Sequence, residues 1–70
     1  MMPLTMANAG EENIIKKVGG KEDTSRFLEN LGFVVGAAVT VISQVEGNII
    51  VNIKDSRVAI GKDMANKIMV

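Results

Sequence analysis

With 70 residues, eight Lys plus Arg against eight Asp plus Glu, and no His, Cys, Tyr or Trp, this chain lacks half the usual catalytic alphabet. Imidazole acid–base chemistry, thiolate nucleophiles, the common soft metal ligands and a disulfide framework are all ruled out by composition. A net charge of zero and only two aromatic residues argue equally against a dedicated nucleic-acid binder, which needs a basic excess or stacking platforms.

What remains is a small β-rich binding module, not an enzyme, formed by residues 1–70 as one domain. Hydrophobic residues make up 47% of the chain, enough for a core without cross-links. At about 0.05–0.15 kcal/mol per residue, net stability is on the order of 3–10 kcal/mol. The start, Met1-Met2-Pro3-Leu4-Thr5-Met6, has no basic leader and breaks its apolar run at Thr5. The longest apolar run, Phe33 to Val39, falls far short of the roughly 20 residues that span a bilayer. These features predict a cytoplasmic chain with no membrane insertion.

Residues 1–11, with Pro3 and Gly10, read as an extended lead-in pinned to the core by Leu4 and Met6. Residues 12–18 are the first strand candidate. The Ile14-Ile15 pair breaks its alternation and predicts a bulge or burial on both sides. Gly19-Gly20 ends it.

Residues 22–31 predict the one α-helix. Glu22 and Asp23 occupy its first turn, where the macrodipole favours acids. Phe27, Leu28 and Leu31 form the apolar face, and Phe27 and Phe33 both read as core. Glu22 and Arg26, like Ser25 and Glu29, are spaced by four on the wet side. Gly32 fits the left-handed position just past the end, which makes Phe33 and Leu28 the pair that closes a Schellman motif.

Beyond Gly36 the apolar period becomes two. Residues 37–53 predict a hairpin that turns at Val45-Glu46-Gly47-Asn48, with Ile49, Val51 and Ile53 on one face of the second arm. Asp55-Ser56 predicts another tight turn, and residues 57–60 a short strand with Val58 and Ile60 inward. Residues 62–66 suffice for one helical turn, and residues 67–70 close the chain as a strand with Ile68 and Val70 on a shared face. About five short strands and one helix (residues 22–31) imply a mainly β fold, with the sheet curled into a small barrel that hides its edges.

No constellation carries chemistry. Gly19-Gly20-Lys21 lacks the earlier glycine and the Ser or Thr of a phosphate loop, and Glu22-Asp23 would repel phosphate. Glu11-Glu12 and Glu22-Asp23 are adjacent pairs, which seldom face each other across a cleft. Asp55 and Asp63 are isolated, Ser25, Ser43 and Ser56 have no His to activate them, and the five methionines form no cluster.

The pattern as a whole is more informative than any single residue. Pro3-Leu4-x-x-Ala7-x-x-Gly10 leads in. Arg26-x-Leu28-x-x-Leu31-Gly32-Phe33-x-x-Gly36 follows, then Val39-x-Val41. Ala59-Ile60 and Ala65-x-x-Ile68-x-Val70 close the chain. In this order the blocks resemble the ferrous iron transport protein A (FeoA) family over nearly the whole sequence. Three departures stand out. Val35 replaces a common Pro, Phe27 replaces a common basic residue, and the loop at Glu46-Gly47-Asn48 is short.

The resemblance implies an SH3-like small barrel with an inserted helix, a fold also found as the C-terminal module of iron- and manganese-dependent repressors. It implies a small cytoplasmic accessory of ferrous iron uptake that docks on the cytoplasmic domain of a FeoB-type transporter, with no cofactor of its own and no nucleic acid. The link to iron would then run through the partner. Two alternatives are a regulatory module of a metal-dependent repressor system and an activator of the transporter's GTPase domain, which would need an arginine finger. The candidate partner contacts are Arg26, Glu29, Arg57 and Lys62. The docking face and the oligomeric state stay open at this level.

Overall fold

Between Ile14 and Lys16 the chain leaves one sheet and enters another. The computed structural model describes residues 1–70. After a 3-10 turn at Leu4–Met6 come strands β1 (Glu12–Ile14) and β2 (Lys17–Val18), helix α1 (Glu22–Leu31), strands β3 (Ala38–Val45), β4 (Asn48–Ile53) and β5 (Ser56–Gly61), helix α2 (Lys62–Ala65) and strand β6 (Ile68–Met69). The segment predicted as one strand over 12–18 is therefore two. Ile15 sits at the break and is fully buried, while Ile14 faces solvent. Its N–H donates to the Ala37 carbonyl and its carbonyl accepts from the Gly36 N–H, which anchors the corner.

The larger sheet has the order β1-β3-β4-β5 and the smaller is the pair β2-β6. All pairings are antiparallel. The β3–β4 hairpin turns on Glu46 and Gly47, both with positive φ (43° and 89°), the requirement of a two-residue type I′ turn. Lys54 and Asp55 (φ 48° and 63°) do the same between β4 and β5, one residue earlier than the predicted Asp55-Ser56 turn. Along β3 the register slips between Val41 and Ser43 and leaves Ile42 as a bulge. The lead-in is not simply extended. Met2 and Val70 exchange backbone hydrogen bonds of 2.8 Å, and Pro3 bridges Met69, so the two ends of the chain run side by side.

The period-two pattern sets the core. Val39, Val41, Ile49, Val51, Ile53 and Ile60 point inward and are buried with Leu4, Ile15, Leu28, Phe33, Ile68 and Val70. Full burial of each such side chain is worth about 1.5–3 kcal/mol. Met6 does not join them and is 68% exposed, because the 3-10 turn aims Leu4 inward in its place.

Helix α1 spans the predicted residues and ends as its glycine requires. Gly32 has φ 107°. Its N–H donates to the Glu29 carbonyl (2.9 Å), and the Phe33 N–H donates to the Leu28 carbonyl (3.0 Å), the two bonds of a Schellman motif. The expectation that Phe27 is core fails, since Phe27 is 49% exposed. Leu28 centres the buried arc, and at about 100° per residue Thr24, Ser25 and Leu31 flank it within roughly 60°. Phe27 lies about 100° away and falls outside.

Candidate functional site

Residues directly opposite across an antiparallel sheet share a face. Glu12 is opposite Thr40, Thr40 opposite Asn52, and Asn52 opposite Arg57. This row of carboxylate, hydroxyl, amide and guanidinium crosses the whole outer face of the four-stranded sheet, the side away from Val39, Val51 and Ile53. None of the four side chains makes a hydrogen bond or ion pair within the chain. Their polar groups are therefore free for an incoming partner.

A cleft of about 450 Å³ opens along part of this row. Glu12, Thr40 and Asn52 line it with Ala38, Lys54 and Asp55. Its lining mixes charged, polar and small side chains, a composition suited to a protein contact. Ile14 and Val45, about half exposed, bracket the same face. Apolar contacts set among unpaired polar groups are the usual composition of a transient protein contact.

The four predicted contact residues fall into two groups. Arg26 and Glu29 lie on the wet side of α1. Arg57 is on β5, and Lys62 opens α2. No hydrogen bond or ion pair joins the two groups. Arg26 is already engaged, with Nη2 2.9 Å from Oε1 of Glu22 in the exposed pair that the spacing predicted. Arg57 is unpaired. Sequence reasoning missed Glu12, Thr40 and Asn52, because their alignment depends on the pairing register of strands far apart in the chain.

A second charged surface lies on the small sheet. Lys17 is opposite Met69, and the Gly19 N–H donates to the Lys67 carbonyl, so Lys17 and Lys67 share the outward face while Val18 and Ile68 point inward. No three Asp or Glu side chains are grouped to hold a metal ion. No helix is long and apolar enough to cross a membrane.

Comparison with known proteins extends these observations. The FeoA domain model matches residues 2–70. A protein of Methanocaldococcus jannaschii provisionally named Fe(2+) transport protein A is 39% identical over 70 residues, covering 100% of this chain and 85% of that protein. A crystal structure of an iron uptake regulatory protein (FeoA) superposes with a TM-score of 0.88 at 30% identity, covering 97% of this chain and 92% of the other. The zinc complex of Stenotrophomonas maltophilia FeoA, described as an SH3 domain protein, superposes with a TM-score of 0.84 at 21% identity, covering 99% and 88%. The fold is SH3-like.

Proposed function

This chain belongs to the FeoA domain family and has a role in Fe(2+) uptake, and we propose that it fills that role as a cytoplasmic, non-catalytic accessory docking on the cytoplasmic domain of a FeoB-type transporter. The observation that carries the reading is the unpaired row Glu12–Thr40–Asn52–Arg57 on the outer sheet face of a chain that matches its family from end to end. A neutral chain without His or Cys is poorly equipped to carry the metal itself, so contact with a partner is the route by which it acts on uptake.

The outer sheet face is the docking surface in this reading. Arg57 supplies its cationic end, with Lys62 beyond the same strand. Arg26 and Glu29 form a separate contact on α1, weaker because the Arg26 guanidinium already has Glu22. An arginine-finger role in GTP hydrolysis would fall to Arg57 for the same reason.

Chemical-shift mapping of the labelled chain, titrated with the transporter's cytoplasmic domain in each nucleotide state, tests the proposal. Shifts should centre on residues 12, 40, 52 and 57. Absence of binding at high micromolar concentrations in every nucleotide state would overturn docking. Unchanged GTP turnover with Arg57→Ala would remove the arginine-finger role and leave docking intact.

A further inference from the structure

The four-stranded sheet has two edges, and they differ. Strand β1 is three residues long, and the chain turns into the other sheet directly after it. Strand β5 is six residues long and pairs only with β4. The two-residue turn at Lys54-Asp55 makes Ile53 and Ser56 a hydrogen-bonded pair. Alternation then makes Val51–Val58 and Ile49–Ile60 the next such pairs. The N–H and C=O groups of Arg57 and Ala59 consequently point away from β4. They make no backbone hydrogen bond to any turn, loop or cap.

Natural edges are usually blunted by short length, charged side chains, Pro, a bulge or a covering element. Strand β5 has no Pro and no register slip. Helix α2 packs on β5, β4 and the Leu4–Met6 turn, yet leaves Arg57 and Ala59 exposed. The Arg57 side chain stands on the outer face, perpendicular to the edge, and does not block it.

We propose that the β5 edge pairs antiparallel with β5 of a second copy of this chain, about a two-fold axis through Ala59. The strand satisfies this pairing on its own sequence. With Ala59 opposite the second copy's Ala59, each Arg57 lies opposite a Gly61, so no like charges meet within the paired strands. The small residues Ala59 and Gly61 let the backbones approach, and a net charge of zero removes the global repulsion that would oppose association. Nothing in the sequence of β5 selects a foreign strand in the same way. The two sheets would join into one of eight strands, with both outer faces on the same side. A short edge contact buries well under the roughly 1,200 Å² of stable complexes, so the dimer is weak and forms at high micromolar concentrations.

The test uses the chain alone and is independent of the transporter. Sedimentation equilibrium from about 10 μM to about 1 mM should show the mass rising from the 7.5 kDa monomer toward the dimer. Ala59→Lys and Ala59→Glu each place like charges at the two-fold axis and should remain monomeric. Mixed in equal amounts they should associate about two- to thirty-fold more tightly than either alone, since opposite charges directly across a strand pair attract and like charges repel. Amide exchange on the unmodified chain needs no variant, and exchange at Arg57 and Ala59 should slow as concentration rises. A wild-type chain that stays monomeric, an Ala59→Lys variant that dimerises as well as wild type, or exchange at both amides that ignores concentration would each overturn the proposal. If those two amides respond only to the transporter's cytoplasmic domain, the edge takes a partner's strand and self-pairing is likewise overturned.

Discussion

The Leu28 carbonyl accepts the Phe33 N–H at 3.0 Å, and the side chains of the same two residues are both fully buried in one core cluster. Helix α1 is thus stopped and docked by one local device. The backbone bond requires Gly32 to be left-handed, and the left-handed turn sends Phe33 back toward the core that Leu28 enters.

Replacing Gly32 with Ala should therefore cost about 1–2 kcal/mol, the penalty of a Cβ at positive φ. The neighbouring Lys54 Cδ, 3.4 Å from the new Cβ, is the flexible part of a side chain and can yield. In a domain of this size the melting temperature should fall by roughly 4–16 °C. Urea unfolding checks the value, and a loss under about 0.3 kcal/mol would mean that the Schellman closure contributes little.

Helix α1 offers a paired comparison. Leu28→Ala should destabilise by about 2–5 kcal/mol, because it empties a fully buried site. Phe27→Ala should cost about 1 kcal/mol or less despite the larger side chain, since Phe27 is half exposed. Equal losses in parallel denaturant titrations would contradict the burial seen here.

Val35 stands at the tip of a β-turn closed by the Ala37 N–H on the Val34 carbonyl (3.0 Å), with Gly36 at φ 92°. That is the geometry in which Pro is favoured at the position of Val35. The Val35 N–H donates to no backbone carbonyl. Val35→Pro should stabilise the chain by about 0.4–1 kcal/mol by restricting the unfolded state. A lower urea midpoint than wild type would show that Val34 does not tolerate a following proline.

The Glu22–Arg26 pair is short but solvent-exposed on both sides. A double-mutant cycle with Glu22→Gln and Arg26→Ala should give a coupling of about 0.3–0.5 kcal/mol that shrinks with added salt. A coupling above about 1.5 kcal/mol would place the pair in a network that no other hydrogen bond here supports.

Much of this architecture follows from short-range pattern. The span of α1, its ion pair and its closure at Gly32 depend on residues within a few positions of one another, where helix geometry alone decides who meets whom. The inward set Ile49, Val51 and Ile53 follows from the two-residue period of a strand, and the family match follows from blocks spread along nearly the whole chain. The break at Ile15 was half legible, because a doubled isoleucine announces a corner without saying where the chain goes next.

Other features were decided only by the tertiary structure. Which flank of α1 meets the core depends on the surface beneath it, so Phe27 is left outside. The Glu12–Thr40–Asn52–Arg57 row exists because three strand pairings, one of them joining segments far apart in sequence, fall into a single register. The bare edge of β5 is equally invisible in the residues. Hydropathy records which face of a strand is wet, but which side of its backbone lacks a neighbour is settled only when the sheet is assembled.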